Sequence, residues 1–207
     1  MPRVSPQYEE GQKKRIIDGA APVFAEHGYR LTTMDQISRA LQLSKGAIYI
    51  YFKSKEELFV SVLQSIYERR FAALSTAYQA DDPLTVKFEK MMDRLAGLMG
   101  HDDDVFIRLS LEGFLESEHI PSLQVIKTES YQRFYGLVYG LLQEGQLSDE
   151  VNPNVNLASV TTILLAVSDG LMLHSLVRNR GIEPERVRTI IQETFSPLLE
   201  YRPEKSS

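Results

Sequence analysis

The spacing of apolar residues predicts helices along almost the whole chain. Near its start, Ile16, Ala20, Val23 and Phe24 recur at intervals of three and four residues, which places them on one face of a helix. Later segments repeat this spacing, whereas the apolar–polar alternation of a half-buried strand is not sustained anywhere in the sequence. The pattern therefore predicts an all-α fold.

Glycine and proline divide this pattern into separate helices. Pro83 and Pro184 stand where a first helical residue belongs, and Gly28 lies where the first apolar stripe ends. Two predicted helices are very short and almost touch, which favours a small head, residues 1–54, and a longer helical body, residues 55–207. We predict helices over residues 9–27, 34–41, 45–51, 55–79, 83–99, 103–117, 121–144, 153–179 and 184–200.

Helix-start signals define the two short helices of the head. Thr33 and Gln36 have the spacing of a capping box, and Ser44 is suited to cap the helix that follows. Ile37 and Ile48 would face inwards from the two helices. Two helices joined by so short a turn indicate a helix-turn-helix, whose second helix can enter the major groove of DNA.

The predicted outer surface of the second short helix is small and polar. Gly46 and Ala47 would let the helix backbone come close to DNA. Lys45 and the hydroxyl groups of Tyr49 and Tyr51 can reach phosphates or base edges. This surface is therefore the expected DNA-reading face.

Lys55 occupies an unfavourable position for a cation. It follows Ser54, which forms a second capping box with Glu57, so it lies in the first turn of the next helix. A positive side chain there opposes the helix dipole at a cost of up to about 1 kcal/mol. We expect a DNA phosphate near this helix N-terminus to offset that cost.

Charge and composition narrow the classes of partner. The net charge is −5, yet residues 1–60 carry +2 and the remainder −7, which favours a polyanion at the head only. The chain has no cysteine, which excludes disulfides, thiolate metal ligands and cysteine nucleophiles. Because the first fifteen residues lack the apolar stretch of a secretory signal, we expect a cytoplasmic protein.

Residues 10–60 combine several specific motifs. They comprise Ile16, Ala20, Phe24, Gly28, Tyr29, Thr32, Thr33, Ile37 and the run LSKGAIYIYFKSKEEL from Leu43 to Leu58. This combination resembles the head of the TetR/AcrR family of bacterial transcriptional regulators. The resemblance implies a three-helix DNA-binding domain, then a larger helical domain that binds a ligand and dimerises.

The resemblance also implies a mode of action. Members of the family are homodimers built from the last two long helices, and a small molecule bound in the body releases them from a palindromic double-stranded DNA operator. Carried over by position, the expected DNA contacts are Thr33, Ser44, Lys45, Gly46, Ala47, Tyr49, Tyr51 and Lys55. One departure is Gln42, where the family often has glycine. A positive φ at Gln42 would carry a conformational cost.

The body contains candidate pocket residues but no ligand-binding motif. Ligand sites are usually apolar cavities with a few polar groups, and the candidates here are Met91, Phe106, Phe114, Tyr131, Phe134, Tyr135, Met172 and His174. For each of them, a core position at helical spacing is the commoner explanation. We expect a partly apolar effector and neither a metal nor a cofactor.

The stretch from Leu157 to Leu176 is the most apolar part of the chain. Asp169 and His174 interrupt it, so we interpret it as a buried helix of a soluble protein and not as a membrane span. Together with the stripe that runs from Val187 to Leu199, it would form a four-helix dimer seam. Burial within the core of one chain is the alternative for the first segment.

Two other classes of function stay open at this point. A metal-dependent enzyme could use Glu112, Glu116 and His119, which share one helical face. An exposed acidic face is the commoner explanation of such spacing, and the sequence has no glycine-rich phosphate loop. The second class is a DNA-binding architectural protein or a regulator controlled by a protein partner, which a body without a cavity would favour.

Overall fold

Local capping interactions set where the helices of this chain begin and end. The computed structural model describes residues 5–98, 104–177 and 183–199. These residues form nine helices: α1 (Pro6–Leu31), α2 (Met34–Leu41), α3 (Lys45–Tyr49), α4 (Lys55–Ser75), α5 (Leu84–Gly97), α6 (Asp104–Glu116), α7 (Pro121–Leu147), α8 (Leu157–Val177) and α9 (Pro184–Leu199). The predicted all-α fold is confirmed.

The main differences from the predicted bounds have local causes. Helix α8 begins later than predicted because Asn156, and not Asn152 before the proline, caps it; the Asn156 Oδ1 accepts the Ser159 N–H at 2.9 Å. Gly28 interrupts α1 with φ 75° and ψ 161°, beyond which the chain is helical to Leu31. The predicted stop at Gly28 is therefore a break inside α1.

The described residues divide into two compact units. The first comprises Met1–Glu68 and Asp104–Thr128, and the second comprises Arg69–Asp103 and Glu129–Ser207. The first unit includes α6, which is distant in the chain, because α6 packs on α1. The domain boundary at residue 54 stays a prediction.

The core of the first unit lies along one face of α1. Three aromatic rings pack together there, with the ring of Phe59 5.0 Å from that of Phe24 and 4.8 Å from that of Tyr29. The apolar side chains of the short helices complete this core, with Ile37 and Ile48 fully buried. Burying such side chains contributes about 2 kcal/mol each, which fixes α2 and α3 against α1 and α4.

The turn between α2 and α3 holds Gln42 in the left-handed region, with φ 54° and ψ 39°. Its N–H donates to the Arg39 carbonyl at 3.1 Å, and the Leu43 N–H donates to the Ser38 carbonyl at 3.0 Å. The expectation of a positive φ at this non-glycine position is thus confirmed.

The second unit contains a core between α5, the later part of α7, α8 and α9. Its buried members include Met91, Met92, Leu141, Leu142, Val160, Leu164, Val187 and Ile191. Lys87 is also buried at 2% exposure, and its ammonium group pairs with the carboxylate of Glu144 on α7. A buried lysine requires such a partner, because an unpaired charge in the core is very costly.

Helix α8 is far less buried than its composition predicts. Over Leu157–His174 it is apolar and long enough to cross a membrane by length and composition, but only 28% of that stretch is buried. Ile163 and Leu173 are 47% and 50% exposed. The alternative of burial within one chain therefore holds for only part of the segment, where Leu157, Val160 and Leu164 belong to the core.

The strained turn leads to a stability prediction. Replacing Gln42 with glycine should raise the free energy of unfolding by about 1 kcal/mol, because glycine adopts positive φ without a Cβ penalty. Thermal unfolding of the full chain measures this change. The matched control is Gln132→Gly on the exposed surface of α7, which should lower stability by about 0.5–1 kcal/mol. A destabilising Gln42→Gly substitution would contradict the strain.

Candidate nucleic-acid interface

Reciprocal hydrogen bonds fix the start of α2. The Thr33 Oγ1 accepts the Gln36 N–H at 3.3 Å, and the Gln36 Oε1 accepts the Thr33 N–H at 2.8 Å. The Thr33 hydroxyl donates to the same Gln36 oxygen at 2.8 Å. The predicted capping box is confirmed, so the hydroxyl that we expect to contact DNA is held in place before any contact.

Helix α3 is oriented by one cap and two buried side chains. The Ser44 Oγ accepts the Ala47 N–H at 3.1 Å and starts the helix. Ile48 is fully buried and Phe52 is 4% exposed, so both hold one side of the helix and its exit against the core. The opposite side of α3 must therefore face solvent.

The predicted reading face lies on that solvent side. Lys45, Gly46 and Tyr49 are exposed, with Tyr49 at 44%, whereas Ala47 and Tyr51 are half-buried. A Cβ on Gly46 would meet nothing nearer than the Ser44 Oγ at 4.0 Å, so packing within the protein does not require glycine here. Glycine does leave the surface of α3 free of a projecting side chain at this position. The absence of a side chain at residue 46 allows the backbone of α3 to come close to the base edges in the major groove.

Lys45 is already paired in the free protein. Its ammonium lies 2.7 Å from the Asp35 carboxylate on α2, and both side chains are about half exposed. Exposed pairs of this kind contribute only about 0–1 kcal/mol. Lys45 can therefore exchange Asp35 for a phosphate at small cost, although the nearby carboxylate would repel the same phosphate.

Lys55 has a different environment from the one the sequence suggested. Its Nζ donates to the carbonyls of Tyr29 at 2.6 Å, Thr32 at 2.8 Å and Arg30 at 3.2 Å, and lies 4.5 Å from the Tyr29 ring centroid. Burial lowers the pKa of this ammonium. The argument that only a DNA phosphate offsets its position is wrong, because the carbonyls at the end of α1 already supply negative partial charge. A DNA contact by Lys55 stays a prediction.

Sequence reasoning missed one exposed apolar residue beside the reading face. Ile50 follows α3 and is 76% exposed. Ile48 and Ile50 are two residues apart, so in a helical segment they cannot both point into the core. Since Ile48 is buried, Ile50 had to face outwards, where an aliphatic side chain can contact a thymine methyl group.

The eight ligand candidates are divided between the two units. Phe106 and Phe114 belong to the first unit, where Phe106 packs 6.2 Å from Tyr67 and Phe114 lies 4.0 Å beneath the Lys127 ammonium. The others belong to the second unit and range from Met91, buried in the core, to the exposed His174. Their role in ligand binding stays a prediction.

The tyrosines of α7 form a ladder within the second unit. The rings of Tyr131 and Tyr135 are 6.1 Å apart, and those of Tyr135 and Tyr139 are 5.9 Å apart and stacked. Next to it, a cavity of about 390 Å³ is lined by Tyr139, Gln143, Gln146, Leu147, Val155, Asn156, Leu157 and Ala158. None of the eight candidates lines this cavity.

The alternative metal site is not assembled. The Glu112 carboxylate accepts the Tyr29 N–H at 2.8 Å, and Glu116 binds the Arg30 guanidinium at 2.6 Å. Among residues 5–98, 104–177 and 183–199, no group of three His, Cys, Asp or Glu side chains could hold a metal ion. The spacing of Glu112, Glu116 and His119 therefore has a different structural explanation.

Two family descriptions match consecutive parts of the chain. The N-terminal domain of the bacterial regulatory proteins of the TetR family matches residues 16–62, which include α2 and α3. The C-terminal domain of BetI-type transcriptional repressors matches residues 93–200, a little over half of the chain. This chain belongs to the TetR family. It is therefore a transcriptional repressor with a helix-turn-helix DNA-binding head and a ligand-binding C-terminal domain.

Other TetR-type regulators align over different shares of the chain. The repressor AcnR of Corynebacterium diphtheriae is 28% identical over 194 residues, covering 94% of this chain and 96% of AcnR. The uncharacterised regulator YuxN of Bacillus subtilis is 34% identical over 105 residues, covering 50% of this chain and only 36% of YuxN. The similarity to AcnR thus extends through both domains.

Solved structures share the TetR fold at low sequence identity. A TetR regulator from Haloarcula marismortui superposes with a TM-score of 0.83 at 18% identity, over 92% of this chain and all of that one. A regulator from Saccharomonospora viridis, solved with choline, has a TM-score of 0.80 at 19% identity, over 93% and 100%. FadR from Bacillus subtilis, solved with stearoyl-CoA, has a TM-score of 0.78 at 19% identity, over 90% of this chain and 99% of FadR.

The ion pair on the TetR-type head leads to a binding prediction. Asp35→Asn should tighten binding to a random-sequence DNA duplex by about threefold at low salt, because it frees Lys45 and removes a repelling charge. A salt titration of duplex affinity measures this effect. Lys45→Gln should weaken binding and reduce the salt slope by about one. Glu129→Gln on the surface of α7 is the control for net charge, and equal effects of Asp35→Asn and Glu129→Gln would refute a local role.

Proposed function

We propose that this repressor acts as a homodimer on a palindromic operator and is released when a small molecule binds its C-terminal domain. The observation that carries the proposal is the solvent-facing side of α3, where Lys45, Gly46 and Tyr49 are exposed opposite the buried Ile48. In a dimer, two such helices would lie about 34–36 Å apart to read successive major grooves. The protein would act in the cytoplasm, where chromosomal DNA is accessible.

The exposed face of α8 supports a second copy as the dimer partner. Ala158, Thr162, Ala166, Asp169 and Leu173 recur at three- and four-residue intervals and are all exposed. Small and apolar residues at this spacing form a stripe that suits helix packing, and a twofold axis would pair the stripe with itself.

The dimer seam can be tested with a charge on this face. Leu173→Asp, at a stripe residue that is 50% exposed in one chain, should convert the dimer into a monomer, because each chain would then bury an added carboxylate without a partner. Sedimentation velocity measures the molar mass, and operator affinity should fall because only one half-site is then bound. The matched control is Val125→Asp in the first unit, where a 55% exposed valine should tolerate the change. A Leu173→Asp protein that remains dimeric would show that the dimer forms through another surface.

The effector is inferred from the domain and its surroundings. The structural neighbours from Saccharomonospora viridis and Bacillus subtilis were solved with choline and stearoyl-CoA, respectively. In the present chain, the tyrosine ladder and the adjoining cavity combine aromatic surfaces with amide and hydroxyl groups. Such a lining suits a partly apolar molecule with a polar group, so the proposed effector belongs to that class.

Operator selection followed by release tests the whole proposal. The full chain should enrich a palindromic sequence from a random duplex library, and Tyr49→Ala should lose affinity for that sequence while binding random duplex as before. Choline or stearoyl-CoA should then lower operator affinity at least about tenfold if either belongs to the effector class, as the coupling energies of allosteric proteins allow. Enrichment of no sequence would refute the proposal, as would an unchanged operator affinity of Tyr49→Ala.

A further inference from the structure

The short segment 28–32 connects the main part of α1, before Gly28, to the helix-turn-helix. Gly28 breaks the helix with φ 75°, so the N–H of Tyr29 points away from the α1 hydrogen-bond ladder. The Glu112 Oε1 on α6 accepts that N–H at 2.8 Å. A Cβ on residue 28 would lie 3.2 Å from the same oxygen, so glycine also permits this close approach.

A second carboxylate of α6 holds the next residue. The Arg30 Nε lies 2.6 Å from the Glu116 Oε1, and the Glu116 side chain is only 8% exposed while that of Arg30 is 66% exposed. A buried carboxylate is strongly favoured when it is paired with a guanidinium, and removing either partner leaves an uncompensated group. Glu116 thus anchors an otherwise exposed arginine.

Lys55 binds the carbonyl groups of the same segment. Its ammonium donates to the carbonyls of Tyr29, Arg30 and Thr32, as described above. Helix α6 therefore binds the Tyr29 N–H and the Arg30 side chain, while Lys55 of α4 binds three carbonyls of the same segment. The reading unit starts directly after it, at the Thr33 cap of α2.

Helix α6 has little freedom to move without disturbing these contacts. Between the two carboxylates, Gly113 lies so close to α4 that a Cβ would come within 2.6 Å of the Leu63 Cδ1. Interiors packed this tightly transmit displacements between neighbouring elements. The place of α6 along α4 therefore determines where Glu112 and Glu116 hold the segment 28–32.

We propose that Glu112 and Glu116 are positioning residues for operator binding, which set the direction in which the helix-turn-helix leaves α1. Neither residue belongs to the reading face, so they act through Tyr29 and Arg30. The inference rests on the proposed function, since it requires that this head binds a specific operator. It assigns the acidic pair on α6 a role in DNA recognition in place of the metal site that their spacing suggested.

The test compares operator and random-duplex affinity in folded variants of the full chain. Glu112→Ala should weaken binding to the selected operator by about tenfold, equal to 1.4 kcal/mol, and change random-duplex affinity by less than about twofold. Glu112→Gln keeps an oxygen that accepts the Tyr29 N–H and should bind the operator like the original protein. Glu118→Ala, which removes an exposed charge just after α6, is the matched control and should leave both affinities unchanged.

If Glu112→Ala does not fold, Glu116→Gln provides a second test of the same inference. Combined with Arg30→Gln, it should give a non-additive loss of operator affinity, since both substitutions break the same pair. Unchanged operator affinity in all folded variants would overturn the inference, as would equal losses on operator and random duplex. Failure of the unsubstituted protein to select any operator would instead refute the proposed function.

Discussion

The burial of one face of α1 is the constraint on which the first unit depends. Ile16, Ala20 and Phe24 are almost completely buried on that face, and the aromatic contact between Phe24 and Phe59 joins α1 to α4. Helices α2 and α3 are too short to be stable alone. They persist because Ile37 and Ile48 are buried against this framework, and the outer face of α3 follows as a consequence.

Polar contacts fix the course of residues 28–32, which hydrophobic burial does not determine. Apolar packing holds α1 and α4 together, but it does not specify how the chain turns after Gly28. Glu112, Glu116 and Lys55 do so by binding the donors and acceptors of residues 28–32. Hydrogen bonds to charged groups are directional and comparatively strong, so they can define the course of a segment that has no core of its own.

The second unit raises a different physical question, which is how an apolar helix remains exposed. Only 28% of Leu157–His174 in α8 is buried in one chain, although its composition is that of a core helix. A face of this kind is unfavourable in water unless another surface covers it. In the proposed homodimer, a second copy of the chain would cover this face and complete the hydrophobic core.

The sequence alone determined the all-α fold, the helix-turn-helix and its capping residues Thr33 and Ser44, because capping and apolar spacing act over a few residues. It also indicated the left-handed turn at Gln42 and the buried position of Ile48. Only the tertiary structure decided the partners of Lys55, Glu112 and Glu116, which lie from 23 to 86 residues away in the chain. Local patterns show that a charge needs a partner, whereas the fold decides whether a carbonyl, an arginine or a phosphate supplies it.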